Sequence, residues 1–242
     1  MKLYKYRDFS QPDDAQFRRL SEILQKNTFW CARPDTLNDP EEFSWQSDFS
    51  PSQDTAPLLT RLLIDVQQKS FADARALAEV EVSTGRLEEI AAPILKEIIS
   101  QCREEIGIAC FSSFADSPVL WRRYGGNGAG VCVEVDAPNR LLNTALFPVK
   151  YPQTKSLHID QIIRAYIDPS EVKVVYDVAL LSKPLCWKPE AEIRFVAKAQ
   201  KVSIRIDESY ISALTLGSHL SSDVRRRIES IVRALPYNLT LK

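Results

Sequence analysis

Glu190 and Glu192 stand two apart in the run Lys183-Pro184-Leu185-Cys186-Trp187-Lys188-Pro189-Glu190-Ala191-Glu192-Ile193-Arg194-Phe195. On a strand, side chains two apart share a face, so the two carboxylates are expected side by side. Such a pair can divide labour, one carboxylate stabilising developing positive charge while the other accepts a proton. Trp187 and the two prolines fix the approach to the pair. The competing account is a strand-entry glutamate balanced by Arg194 or Lys188. The same spacing recurs at Glu79 and Glu81 inside a helical stretch, so spacing alone is a weak signal.

Glycine marks a second spot. Four of the seven glycines (Gly125, Gly126, Gly128 and Gly130) fall within six residues, directly after Trp121 and Tyr124. Such a loop lets backbone approach a ligand closely or take up positive φ, and the two aromatics offer ring faces with polar tips. No Lys-[Ser/Thr] follows, and the loop leads into a strand, so neither nucleotide-binding loop motif fits. A wide hairpin connection is the alternative. Asn38-Asp39-Pro40-Glu41-Glu42-Phe43 is the third spot; Asn and Asp before Pro make a side-chain-stabilised turn, and the structural reading is preferred there. The five cysteines include no C-x-x-C pair, and only His158 and His219 occur, so no metal site is expected. Both histidines are expected at the surface or at helix ends.

The elements that must position these groups follow from periodicity. Leu3–Arg7 reads as a strand. Asp13-Asp14 cap a helix with Phe17, Leu20, Ile23 and Leu24 on its apolar face, ending near Asn27. Thr28–Ala32 reads as a second strand. From 55 to 105 the pattern is helical, with Leu58, Leu59, Leu62, Leu63 and Val66 on one face of a first segment. Leu87, Ile90, Ile94, Leu95, Ile98 and Ile99 serve a second. After Gly107 strands are expected at 108–114, 131–136, 147–151, 192–197 and 202–206. Helices are expected at 118–124, 158–165 and 223–234; the stretch 168–181 reads as helix or strand. The fold class is α+β: a central, mostly antiparallel sheet with flanking helices, one domain over 1–242, with 55–105 as a helical insertion or cap.

Composition bounds the function. The chain has 242 residues, 31 Lys plus Arg against 32 Asp plus Glu, and 45% hydrophobic residues. A net charge of −1 excludes a generic basic coat for nucleic acid or anionic membrane, though not a local patch. The first residues lack the apolar run of a signal peptide, and no stretch reaches the roughly 18 apolar residues of a membrane span. A reduced, cytoplasmic protein that does not enter membranes is expected. Oligomeric state is left open.

Several separated stretches, in order, resemble a bacterial family of unknown function (domain-of-unknown-function family 2971). They are Leu3-Tyr4-Lys5-Tyr6-Arg7, Phe29-Trp30, Pro34, Asn38-Asp39-Pro40-Glu41-Glu42, Cys110-Phe111-Ser112, Trp121-x-x-Tyr124, Gly130-Val131-Cys132 and Trp187-x-x-Glu190-x-Glu192-x-Arg194. Leu37 and Glu41 depart from the aromatics expected there. The family supplies no reaction. A second likeness is to ADP-ribosyltransferases of the Arg–Ser–Glu type, carried by Arg7, Ser112-Ser113 and Glu190-x-Glu192. That likeness implies NAD as co-substrate, with Arg7 on its phosphates and Ser112 supporting the nicotinamide-ribose pocket. It gives Glu192 a ribose hydroxyl and the oxocarbenium-like state, and Glu190 the activation of an acceptor. Trp121, Tyr124 and Gly126 complete the cofactor-binding set, with no metal. The implied activity is ADP-ribosyl transfer or NAD cleavage on a macromolecular target, in defence or toxin-type biology. The alternative is a non-catalytic ligand- or protein-binding module of a defence or regulatory system, with Trp30, Trp121, Tyr124 and the glycine loop as its surface.

Overall fold

A computed structural model describes residues 1–37, 39 and 42–242. In chain order the elements are β1 (Lys2–Arg7), α1 (Asp14–Lys26), β2 (Thr28–Cys31), β3 (Gln46–Asp48), α2 (Thr55–Gln67), α3 (Phe71–Thr84), α4 (Leu87–Glu105) and β4 (Gly107–Ser112). They continue with α5 (Pro118–Tyr124), β5 (Val131–Asp136), β6 (Leu146–Pro148), β7 (Ser156–His158), α6 (Ile159–Ile167) and α7 (Val172–Leu180). The last are β8 (Glu192–Ala197), β9 (Val202–Arg205), β10 (Ile211–Leu216), α8 (Ser222–Arg233) and β11 (Thr240–Leu241). The protein is α+β.

Two compact units divide the chain. The first comprises 1–33, 106–149 and 186–242; the second comprises 34–105 and 150–185.

The first unit is built on a seven-stranded sheet of order β11-β10-β5-β1-β4-β8-β6, antiparallel except where β11 joins β10 in parallel. Its register sorts the side chains, because directly paired residues in an antiparallel ladder share a face. Tyr4 pairs with Ser112 and with Glu134, Tyr6 with Cys132, Ser112 with Glu192, and Cys110 with Arg194. These residues form one face. The opposite face carries Leu3, Phe111, Val131, Val133 and Ile193, and packs with α1 and α8 into the main core.

Helix α1 forms where expected because its ends and its face agree. Asp13 accepts from the Gln16 amide while the Gln16 side chain accepts from the Asp13 amide, a reciprocal N-cap. Asn27 ends the helix in the left-handed region at φ 56°. Phe17, Leu20, Ile23 and Leu24 are all buried, each contributing about 1.5–3 kcal/mol relative to exposure.

The second unit is helical, with one short parallel pair, β3 with β7. The stretch 55–105 lies wholly within it and comprises three helices rather than two segments. Leu58, Leu59, Leu62 and Leu63 are buried, but Val66 is 52% exposed at the end of α2 and leaves the expected face. Residues 172–180 of the ambiguous stretch are helical. His158 is the N-cap of α6, its Nδ1 accepting from the Asp160 amide at 3.2 Å. Asp160 in turn accepts from the Ser52 and Thr55 hydroxyls at 2.6 and 2.7 Å. No helix is long and apolar enough to cross a membrane among the described residues.

Candidate functional site

The strands bearing Arg7, Ser112 and Glu192 (β1, β4 and β8) are consecutive neighbours in the sheet. The pleat then separates their side chains. Arg7 pairs with Val131, three positions from Tyr4, and so projects from the core face. There burial pulls its guanidinium below the ordinary range, Arg19 of α1 adding to the effect, and its Nε is buried with no hydrogen-bond partner among the described residues. Ser112 and Glu192 point from the other face. Arg7 and Glu192 therefore do not line one cleft, which corrects the expectation that places them together.

The other residues do converge. Ser112 Oγ donates to the Glu190 carbonyl at 2.7 Å and accepts from the Phe114 amide at 3.0 Å. Its hydroxyl thus ties the end of β4 to the turn that delivers the glutamates. The Glu190 carboxylate is buried and receives the Tyr124 hydroxyl at 2.8 Å and Arg123 Nη1 at 3.0 Å. Burial, reinforced by Glu190, pushes the Tyr124 phenol well above its ordinary value, so it remains a donor. Ala191 turns the chain at φ 43°, and Glu192 enters β8.

Glu192 is buried against Arg194, whose side chain is fully enclosed. Nε donates to Oε1 at 2.8 Å and Nη2 to Oε2 at 3.4 Å. Arg194, which the sequence offers only as a balancing charge, is thus the partner of Glu192. Arg123 also takes part, without a signal in the sequence: it bonds Glu190 and lies over the Trp187 ring at 4.4 Å from the centroid. Its place just before the glycine run gives no sign of this, although it directly precedes Tyr124 at the end of α5 and both side chains reach the Glu190 carboxylate.

Trp121 stacks edge-on against Tyr6 with centroids 5.1 Å apart, and its Nε1 donates to Asp116 Oδ1 at 3.2 Å. The Tyr6 hydroxyl donates to the Ala115 carbonyl at 2.9 Å. Trp121 and Tyr124 therefore cover the same face. Trp30 does not join them: its neighbour Phe29 packs on Phe111 in the core on the opposite face, and Trp30 alternates outward from there.

The glycine loop is shaped by its own chain. A Cβ on Gly126 (φ 57°) would stand 2.1 Å from Asp8 Oδ1, and one on Gly130 would stand 2.1 Å from the Arg7 carbonyl. His219 Nδ1 closes the loop from the other side, 2.9 Å from the Asn127 carbonyl. Gly130 is thus required by packing against the backbone at the end of β1, and Gly126 is favoured by its positive φ beside the Asp8 side chain. In the turn 38–43, Asn38, Pro40 and Glu41 lie outside the described residues; the Glu42 amide donates to the Asp39 carbonyl at 3.0 Å. Among the described residues no cluster of three metal-ligating side chains occurs.

No protein-family model, curated protein or solved structure is significantly similar to this chain. What defines it is an α+β fold with a buried, partnered glutamate pair beside an aromatic and cationic edge.

Proposed function

We propose that the first unit is a non-catalytic recognition module, reading its ligand or partner through Trp121, Tyr124, Arg123 and Trp187. One observation carries this: both carboxylates are buried and engaged, Glu190 by Tyr124 and Arg123 and Glu192 by Arg194. Groups held this way position a surface rather than meet a substrate. The part of the Arg123 side chain that is not enclosed, stacked on Trp187, presents a planar charge at that surface. Kinship with the bacterial family named above, and with it a role in defence or regulation, is part of the same proposal and rests on the sequence resemblance.

The NAD-cleaving reading keeps one supporting observation, the adjacency of β1, β4 and β8 with Ser112 opposite Glu192. On that reading Arg123, not Arg7, is the cation at the mouth of the site. Purified protein is incubated with NAD, with and without host lysate, and nicotinamide release is followed beside Glu192→Gln and Glu190→Gln. The module reading expects no release from folded protein, and loss of partner capture in Trp121→Ala and Trp187→Ala. Release that disappears in Glu192→Gln would replace it with the transferase or glycohydrolase class.

A further inference from the structure

The second unit contains a groove of about 770 Å³, formed between the segment Phe43–Phe49 and one face of α4. Its volume falls within the roughly 300–1,000 Å³ of small-molecule sites. Phe43, Trp45 and Phe49 supply three aromatic walls, and the buried Leu95 and Ile99 form the floor. Along the rim, α4 places Lys96, Ser100 and Arg103 at i, i+4 and i+7, one row on one helical face. The Arg103 guanidinium sits 4.8 Å over the Phe43 ring. Among the described residues neither Lys96 nor Arg103 is paired with a carboxylate. Among the described residues Glu88 is the one acidic residue lining the groove, against the two cations Lys96 and Arg103.

These features are complementary to a ligand with two parts. Aromatic walls over an aliphatic floor favour a flat ring by apolar burial and offset stacking. A row of ammonium, hydroxyl and guanidinium favours an anionic group such as a carboxylate, sulfonate or phosphate. We propose that the groove is a binding site for a small planar aromatic anion. The ring lies against Trp45 and Phe49, and the anionic group lies along Lys96, Ser100 and Arg103. This site is independent of the Glu190 cluster and of the function proposed for the first unit.

The test uses the full chain and two probes that share a ring system: 8-anilinonaphthalene-1-sulfonate, an aromatic anion, and N-phenyl-1-naphthylamine, which lacks the sulfonate. Saturable one-to-one binding of the anion is expected, with the neutral probe weaker. The double reversal Lys96→Glu/Arg103→Glu should weaken the anion by about tenfold or more, as expected for two attractions turned into repulsions near a surface. It should leave the neutral probe nearly unchanged. Trp45→Ala should weaken both. Circular dichroism reports folding, and Lys96→Gln/Arg103→Gln serves as the milder pair should the reversal unfold. Equal binding of the two probes, or anion binding indifferent to the charge changes, would overturn the proposal. Concentration-dependent dimerisation abolished by Trp45→Ala, with no effect of the anion, would overturn it too and give the groove to a second copy.

Discussion

The most demanding consequence of the site geometry concerns Arg194→Met. Arg194 is 0% exposed and Glu192 is 5% exposed, on a strand flanked on both sides, and the guanidinium meets both carboxylate oxygens. Methionine keeps much of the side-chain length but leaves Glu192 without this partner. Removing one member of a buried pair costs about 3–5 kcal/mol, because the remaining charge stays desolvated. For a chain of this size, where each kcal/mol moves the midpoint by about 2–4 °C, the melting temperature should fall by about 6–20 °C. Differential scanning calorimetry and urea melts at pH 8 measure this.

The pH dependence of that deficit gives a second handle on the same variant. A buried carboxylate that has lost its cation takes up a proton more readily, so its folded-state pKa in Arg194→Met rises above the unfolded value. Stability from a raised pKa is present at low pH and lost as pH climbs through it. The deficit against the natural protein should therefore be smaller at pH 5 than at pH 8. Replacing both partners in Arg194→Met/Glu192→Leu should recover most of the loss at pH 8. A single variant within about 1 kcal/mol of the natural protein at pH 8 would refute the argument, since that is the range of an exposed pair. Failure of the double variant to recover would refute it as well.

Tyr124→Phe removes the phenolic donor to Glu190 and should destabilise by about 1.5–3 kcal/mol, the range for a hydrogen bond to a charged group; urea melts check it. Gly130→Ala places a methyl 2.1 Å from the Arg7 carbonyl and should cost about 1–3 kcal/mol or more, read as a lower melting midpoint. Iodoacetamide at pH 8, followed by peptide mass spectrometry, should modify the exposed Cys186 first. Burial pushes the Cys31 thiol up to about 11 and those of Cys102, Cys110 and Cys132 up to about 12, so they stay protonated, and Cys31, Cys102 and Cys132 are enclosed as well. Burial tends to raise the Glu134 carboxyl, but hydrogen bonds from Lys2 and Lys242 outweigh it and hold it below its ordinary value. The resulting stability is complete above the unfolded pKa of about 4.3 and lost as pH falls through the folded one. The advantage over Glu134→Gln should accordingly shrink in acid thermal melts.

Much of the fold is legible in the sequence because local signals agree. Helix α1 has a capping residue, an apolar stripe and a left-handed stop, and β1, β5 and β8 announce themselves by alternation or by dense β-branched residues. Strand β10 escapes because Ile211-Ser212-Ala213-Leu214-Thr215-Leu216 sits inside the sheet with small residues between its apolar ones, giving no clean period. Strands β3 and β7 are three residues each and show no apolar alternation. The stretch 172–180 is rich in valine, whose preference for strands competes with helical spacing until packing settles it. At the site, the convergence of Tyr124 with Glu190 is within reach of the sequence, but the face of Arg7 is not. Order along a chain says which strands carry which residues. The register, one position either way, decides which side of the sheet they occupy.

The interleaving of the two units bears on how the polypeptide is made. The first unit is drawn from three separate segments and the second from two, so the chain passes between them four times. During synthesis the strand that ends at Arg7 must wait for partners emerging more than 90 residues later, at Gly107–Ser112 and Val131–Asp136. The second unit is complete once residue 185 has emerged, while the first still lacks β8 and β10. Long-range pairing of this kind is slow and leaves unpaired strand edges open to aggregation. A ribosome-stalled series long enough to bring residue 185 clear of the exit tunnel should show protease protection of 34–105 and 150–185 before any protection of 106–149 or the N-terminal strand. The same connectivity makes the folded chain resistant to division: one proteolytic nick at any crossing leaves three others joining the units.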